Sequence, residues 1–256
     1  MIGVFDSGVG GLTVIKELKK RLPGLSFVYL GDNARTPYGN RSQEIVQRYS
    51  QEDVDFLISK GAKSIIVACN TASVLAGDYL KRNYNLPIFE VITPAVQAAV
   101  KITKGRVGVI GTRATVGSKA HEQAILNINK DLKVFNQLCP LFVPLVEENC
   151  VRRPETKMIA RCYLAPLKIK SIDTLILGCT HYPLLRQVIQ DKIGRRVKLI
   201  DPAEAVIAML VDRVQNDSNF DWSGKEEYFT TDVGSQFQEI AKRWLKQDIK
   251  IQKAEL

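Results

Sequence analysis

Two stretches of this chain read almost alike: Ile65-Ile66-Val67-Ala68-Cys69-Asn70-Thr71 and Leu175-Ile176-Leu177-Gly178-Cys179-Thr180-His181. In each, an apolar run ends in a cysteine, and a Thr follows within two positions. A continuous apolar run of this length, bounded by polar residues, suits a strand buried on both faces of a parallel sheet. Each cysteine then stands at the carboxyl end of its strand, where open α/β sheets place their ligands.

The surroundings fit such a sheet, because strand and helix patterns alternate along the chain. Ile2-Gly3-Val4-Phe5 reads as a strand, Asp6-Ser7-Gly8-Val9-Gly10-Gly11 as a glycine-rich turn, and Leu12 to Leu22 as a helix stopped by Pro23-Gly24. A strand at Phe27 to Leu30 leads through the loop Asn33 to Asn40 into a helix from about Ser42 to Ser59. A helix from about Thr71 to Asn83 and a strand at Pro87 to Val91 complete the first cycle.

A second cycle starts near Thr93-Pro94, with a helix from Ala95 to Ile102 and a strand at Arg106 to Ile110. The pattern predicts a turn at Gly111-Thr112-Arg113-Ala114-Thr115-Val116, in the place of the first one, then a helix through Ile128, a strand at Lys133 to Leu138, and a loop at Phe142 to Glu148 carrying two carboxylates. A helix from about Glu155 to Leu167 precedes the second cysteine strand, and Pro183 opens another helix. Val197 to Ile200 is a strand, Asp201-Pro202 starts a helix to Val214, Glu226 to Thr230 is a strand and Gln236 to Leu245 a helix. Gln215 to Gly224 reads as a mobile loop.

The interval from Gly3 to Gly108 nearly matches that from Cys69 to Cys179, which reads as an internal repeat. The expected fold is therefore α/β, with two pseudo-symmetric lobes, each a mainly parallel sheet flanked by helices, and an active site between them. The first lobe is expected at 1–93 plus 206–256, discontinuous in sequence, and the second at 94–205.

Composition narrows the function. At 256 residues the chain has ample core-forming capacity. No apolar run approaches the roughly 20 residues of a membrane-spanning helix, and the N-terminus lacks a basic region followed by a signal-peptide core. A cytoplasmic protein with no membrane partner is the expectation. Five cysteines without a Cys-x-x-Cys pair, and only two histidines, argue against a disulfide framework or a metal site. Cys139, Cys150 and Cys162 read as small core hydrophobes. The net charge of +9 comes from scattered residues such as Lys16, Lys19, Arg21, Arg195 and Lys198, a solvated basic surface with no nucleic acid required.

The glycine turn first raises dinucleotide binding, since Gly8-x-Gly10 follows a strand and Asp32 ends the next one. The third glycine position holds Thr13, and Asp6 aims a carboxylate where a pyrophosphate would lie. The cysteines are more informative. A thiol just before a helix N-terminus feels the positive end of the helix dipole, which favours thiolate. Cys69 precedes a helix, Cys179 precedes the one opened by Pro183, Asp6 ends a neighbouring strand and His181 lies two residues from Cys179. A single Cys with His suggests covalent catalysis. Two matched thiols fit a different operation: inverting a carbon that bears a hydrogen needs a base on one face and an acid on the other. A thiol with a pKa near ~8.5 can serve as either. A racemase or epimerase is thus plausible, and a redox pair stays open if the sulfurs come within bonding reach.

These blocks in this order make the chain similar to a known family. Phe5-Asp6-Ser7-Gly8-Val9-Gly10-Gly11-Leu12-Thr13-Val14, Gly31-Asp32 with Ala34-Arg35 and Pro37-Tyr38-Gly39, and Ala68-Cys69-Asn70-Thr71-Ala72-Ser73 open the match. Gly111-Thr112 with Ala114-Thr115-Val116, Cys139 to Glu148, and Leu177-Gly178-Cys179-Thr180-His181-Tyr182-Pro183 continue it. The chain resembles the glutamate racemases of the aspartate/glutamate racemase superfamily over essentially its whole length.

The resemblance implies cofactor-independent interconversion of L- and D-glutamate, supplying D-glutamate for peptidoglycan. It implies that Cys69 removes the α-proton of the D-isomer and Cys179 that of the L-isomer. Asp6 would assist Cys69; His181 would assist Cys179, with a carboxylate from Val146-Glu147-Glu148, preferably Glu147. Substrate contacts would come from Asp6, Ser7, Tyr38 and Gly39, from Asn70 and Thr71, and from Thr112, Thr115, Thr180 and His181. No cofactor or metal is implied, the substrate is the small molecule glutamate, and a homodimer is compatible with a family of varying oligomeric state. The sequence departs from the family's habit at Asn33, in place of a small hydroxyl residue, at His121, in place of Tyr, and at Glu90, in place of Gly. An aspartate or related amino-acid racemase is the close alternative, and a non-enzymatic nucleic-acid-binding protein the distant one.

Overall fold

The computed structural model describes residues 1–214 and 220–256. The chain starts with β1 (Ile2–Asp6), α1 (Leu12–Arg21), β2 (Phe27–Gly31), α2 (Gln43–Ser59), β3 (Ser64–Val67), α3 (Asn70–Asn83) and β4 (Ile88–Glu90). It continues with α4 (Ile92–Ile102), β5 (Arg106–Gly111), α5 (Arg113–Gly117), α6 (Ala120–Ile128), β6 (Lys133–Leu138), α7 (Phe142–Glu147), α8 (Pro154–Ile169), β7 (Thr174–Gly178), α9 (Arg186–Ile193) and β8 (Lys198–Ile200). α10 (Pro202–Val214), β9 (Glu226–Thr230), α11 (Ser235–Leu245) and β10 (Ile251–Lys253) follow.

Two compact units result: Met1–Val91 with Val206–Leu256, and Ile92–Ala205. The first holds a sheet in the order β10-β9-β2-β1-β3-β4 and the second a sheet in the order β6-β5-β7-β8. The strand pairs of both sheets are parallel. Within each unit the first four strands take the same order, the first lying between the second and the third. The repeat seen in the sequence is thus a repeat of topology.

Burial explains the apolar runs. Every residue of β1, β2, β3 and β7 is buried, as expected for strands covered by helices on both faces. Each fully buried Val, Leu or Ile contributes about 1.5–3 kcal/mol relative to exposure, so these strands anchor the two cores. In the first unit, Phe5, Val28, Leu30, Ile65 and Val67 pack with Val54 and Leu57 of α2 and with Ala72 and Leu80 of α3.

The carboxyl-terminal stretch extends the first sheet. β9 pairs with β2 from Phe27↔Glu226 to Gly31↔Thr230, and β10 pairs with β9. The sequence did not suggest β10, because Ile251-Gln252-Lys253 is too short and polar to stand out from a loop.

Other local expectations need correction. The turn expected at Gly111 to Val116 holds a short helix, Arg113–Gly117, and the helix expected to run from there through Ile128 starts only at Ala120, after Lys119 takes a left-handed φ of 57°. Ser118 Oγ donates to Thr115 O and accepts from Ala120 N, closing one helix and starting the next. The stretch Phe142 to Glu148 is a helix over Phe142–Glu147, not a loop. Pro144 sits in its first turn, where a missing N–H costs no helical bond. Cys162 is exposed on α8 and Cys150 only half-buried, so of the three cysteines read as core residues only Cys139 is one. Of the loop expected at 215–224, residues 215–219 lie outside the described residues, and Asp221 O accepts from Ser26 N at 2.8 Å.

Candidate active site

In the first unit the chemistry gathers where β1 and β3 end side by side. Phe5 is in register with Val67, and Ala68 N donates to Phe5 O at 2.9 Å, which brings Asp6 and Ser7 alongside Cys69. Cys69 is the N-cap of α3, and its Sγ accepts from Ala72 N at 3.5 Å, in the place usually taken by a Ser or Asp oxygen. Ser7 Oγ lies 3.4 Å from the same sulfur. The sulfur is therefore held by a buried amide of a helix start, which favours negative charge.

The glycine turn is closed by its own carboxylate: Asp6 Oδ2 accepts from Gly8 N at 3.1 Å. That occupies the place a dinucleotide's phosphates would need, and the dinucleotide reading ends there. Gly11 makes the arrangement possible, since a Cβ on it would meet Asp6 Cβ at 2.5 Å and Tyr29 Cε2 at 3.0 Å. Asn70 and Thr71, the first two residues of α3, are buried, and neither the Oδ1 nor the Nδ2 of Asn70 has a protein partner. An unsatisfied buried amide in the first turn after the thiol is a ready donor and acceptor for a polar ligand.

Tyr38 and Gly39 lie in a short helical turn of the loop between β2 and α2. The Tyr38 side chain points into the unit, where its hydroxyl meets the carboxyls of Asp32 and Asp53. A ligand contact at this turn therefore rests on the main chain of Tyr38 and Gly39. Arg35 ties the same loop down, bonding Asp32 at 2.6 Å, Asp53 at 3.0 Å, and Glu52. Asn33, one of the departures from the family's habit, accepts from Thr230 Oγ1 and Asp232 N and donates to Asp232 O, joining the loop to the end of β9.

The second unit repeats the arrangement with different partners. Gly111 of β5 is in register with Gly178 of β7, so Thr112 and Cys179 follow on adjacent strand ends. Thr112 caps α5, its Oγ1 accepting from Thr115 N and lying 3.1 Å from Thr115 Oγ1. Gly178 is required by a close approach: a Cβ there would meet Ile110 O at 2.6 Å.

Cys179 does not cap a helix. A 3-10 turn over Tyr182–Leu185 intervenes, α9 begins only at Arg186, and Tyr182 N bonds back to Cys179 O at 3.1 Å. The expectation that the helix opened by Pro183 polarises Cys179 is corrected: Pro183 sits in the tight turn, and its ring directs that turn rather than an α-helix. The sulfur's neighbour is His181, with Nδ1 at 3.8 Å, and His181 Nε2 lies 2.9 Å from Glu147 Oε1. Glu147 is the last residue of α7, and Glu148 is its C-cap. Phe142, at the start of that helix, packs edge-on against Tyr182 with centroids 5.2 Å apart, which fixes α7 beside the turn.

Burial opposes charge on His181, yet its hydrogen bonds to Cys179 and Glu147, and their charges, outweigh burial and push the imidazole up to about 10. His121 behaves in the opposite way. It is buried with neither ring nitrogen partnered, and burial pushes it down to about 4. Its ring lies 3.6 Å from where a Cβ on Gly178 would stand, immediately behind the Cys179 strand end. The sequence marks His121 only as a departure from the family's Tyr, since nothing in its local pattern shows that it is buried. Glu90, another departure, is buried and pairs with Lys81 at 3.5 Å.

Thr180 and His181 are buried beside Cys179 as Asn70 and Thr71 are beside Cys69. Among the described residues, no group of three or more His, Cys, Asp or Glu is placed to hold a metal ion, and no helix is long and apolar enough to cross a membrane.

Fold and site together describe an α/β enzyme with a thiol at the carboxyl edge of each of two parallel sheets, one beside Ser7 and a helix start, the other beside His181 and Glu147. The pattern of the Asp/Glu/Hydantoin racemase family matches residues 2–210, and the chain belongs to that family. It is 44% identical over 248 residues to the glutamate racemase of Geobacter metallireducens, covering 95% of this chain and 92% of that protein. A glutamate racemase isoform of Bacillus anthracis has a crystal structure similar to it with a TM-score of 0.95 at 40% identity, covering 100% of this chain and 97% of the other. The glutamate racemase of Francisella tularensis, solved in complex with D-glutamate, is similar with a TM-score of 0.91 at 34% identity, covering 99% and 97%. These relatives are isomerases.

Proposed function

We propose that the protein interconverts L- and D-glutamate without a cofactor, by taking a proton from one face of the α-carbon and returning one to the other. The observation that carries this reading is the pair of strand-end thiols with unequal partners: Ser7 and a helix start at Cys69, His181 with Glu147 at Cys179.

From D-glutamate, the Cys69 sulfur takes the α-proton and the Cys179 thiol delivers its own to the opposite face. From L-glutamate the roles reverse. After either turnover the proton count is unchanged, with one thiol protonated and the other not. Asp6 supports Cys69. His181, charged at neutral pH, balances the Cys179 sulfur when that sulfur holds no proton, and Glu147 orients the ring.

An α-proton is far less acidic than a thiol, at roughly 1.4 kcal/mol per pK unit of mismatch. Preorganised donors must therefore meet the charge that develops on the substrate. Asn70 and Thr71, with the amides starting α3, and Thr112, Thr115 and Thr180 supply hydroxyls, amides and N–H groups suited to its carboxylates. Such an enzyme would act in the cytoplasm, supplying D-glutamate for peptidoglycan.

Purified protein with no added cofactor is expected to racemise L-glutamate, followed by the decay of circular dichroism. L-aspartate run in parallel tests the side-chain preference. Turnover of aspartate alone, or of neither, would overturn the proposal.

A further inference from the structure

Asp32 at the end of β2 and Asp53 in α2 are both fully buried, and both face the Tyr38 hydroxyl. Tyr38 Oη lies 2.9 Å from Asp53 Oδ2 and also in hydrogen-bond contact with Asp32 Oδ2. A phenol carries one hydrogen. It can donate to one of these carboxyls, and the contact with the other needs a hydrogen from the carboxyl itself.

The donor count says which. Asp32 Oδ2 accepts from Arg35 Nε at 2.6 Å and Asp32 Oδ1 from Thr231 Oγ1 at 2.9 Å, so this carboxylate is well supplied without a proton of its own. Asp53 Oδ1 accepts from an Arg35 terminal nitrogen at 3.0 Å, and among the described residues its Oδ2 meets only the Tyr38 hydroxyl.

We propose that Asp53 is a neutral carboxylic acid at neutral pH, donating from Oδ2 to Tyr38 while Tyr38 donates to Asp32, and that this acid is a positioning residue for the Tyr38-Gly39 turn. The second half rests on the reading of that turn as part of a glutamate site.

The charged and titratable groups around Asp53 agree. They are Asp32, which follows β2, Arg35 and Tyr38 from the loop, and Glu52 on α2 itself, with Tyr49 stacked under Arg35 at 4.2 Å. One guanidinium faces three carboxyl groups, and two of those are removed from water. Burial first, then the charge of Asp32, hold Asp53 well above the usual carboxylate range, against the pull of Arg35 and Tyr38. Burial between the same carboxyls keeps Tyr38 a neutral phenol.

Asp53→Asn tests this, because its amide can donate to Tyr38 and still accept from Arg35. The parent protein's infrared spectrum is expected to carry a carboxylic-acid C=O band that disappears from Asp53→Asn, other protonated groups cancelling in the difference. The variant is expected to melt above the parent at neutral pH, with the gap closing as pH falls toward ~4, where unfolded Asp also binds its proton. No band in the parent, or a band that survives the substitution, would overturn the assignment. So would a variant that melts below the parent at neutral pH and recovers in acid.

For positioning, Asp53→Ala is expected to raise KM for glutamate about fivefold, the scale of one lost hydrogen bond, with kcat little changed. Asp53→Asn should restore KM. An unchanged KM in Asp53→Ala removes the positioning role. A parent that fails to racemise glutamate strikes the functional reading instead and leaves the infrared and melting results to judge Asp53.

Discussion

Glu147 Oε1 and His181 Nε2 stand 2.9 Å apart, joining the end of α7 to the turn after β7. The bond decides what the imidazole can do. With Nε2 held by a carboxylate, Nδ1 is left toward Cys179, and the ring keeps its charge although it is buried.

That charge should be visible in stability. The folded His181 value, about 10, lies above the unfolded one of ~6.5, so the stabilisation is complete below pH ~6.5 and is lost as pH climbs through about 10. Glu147→Gln should lower stability at neutral pH by about 1–2 kcal/mol, as for a charge-assisted hydrogen bond, and flatten the alkaline loss. Urea unfolding across the pH range measures both. A variant with the parent's alkaline profile would remove Glu147 as the cause.

The unequal partners of the two thiols predict directional failures. Cys69→Ser and Cys179→Ser should each lower racemisation by at least about 10³-fold, the scale of a lost acid–base group. In D₂O, Cys179→Ser should still exchange the α-proton of D-glutamate through Cys69, and Cys69→Ser that of L-glutamate through Cys179. Mass spectrometry of recovered substrate distinguishes them. Exchange of the wrong isomer would reverse the assignment.

Gly178→Ala should cost about 1–3 kcal/mol, the usual range for overpacking a dense core. Its Cβ would stand 2.6 Å from Ile110 O, a main-chain atom of the adjacent strand that cannot step aside as a flexible side chain can. Thermal melts should show the loss, and kcat should fall with it, because Cys179 is the next residue. An unaltered melting temperature would mean that β5 and β7 yield more easily than their packing indicates.

His121 gives an acid signature of the opposite sign. Its folded value of about 4 lies below the unfolded ~6.5, so the unfolded chain binds a proton that the folded one refuses across that window. Stability falls as pH drops from ~6.5 toward ~4, by up to about 3 kcal/mol. His121→Phe should remove that slope and raise the melting temperature more in acid than at neutral pH. An acid slope retained by the variant would assign it elsewhere.

Legibility followed the range of the interaction involved. The buried parallel strands, and a cysteine at the end of two of them, could be read from Ile65 to Thr71 and Leu175 to His181 because burial on both faces writes an unbroken apolar run. The start of α2 could be read from Ser42, which accepts from Ile45 N three residues on. The form of the stretch from Phe142 to Glu147 could not. A Pro in the stretch and the two Glu residues at its end, Glu147 and Glu148, look like a loop until Phe142 has Tyr182 to pack against.

The sequence by itself determined the alternating α/β fold, its internal repeat and the positions of Cys69 and Cys179, since these depend on local periodicity and on which residues must leave water. Only the tertiary structure decided their partners. Glu147 rather than Glu148 meets His181, Tyr38 turns its hydroxyl inward to Asp32 and Asp53, and Cys69 caps a helix while Cys179 does not. These pairings join residues on different elements. Their geometry is set by strand register and helix packing, which no local pattern of residues encodes.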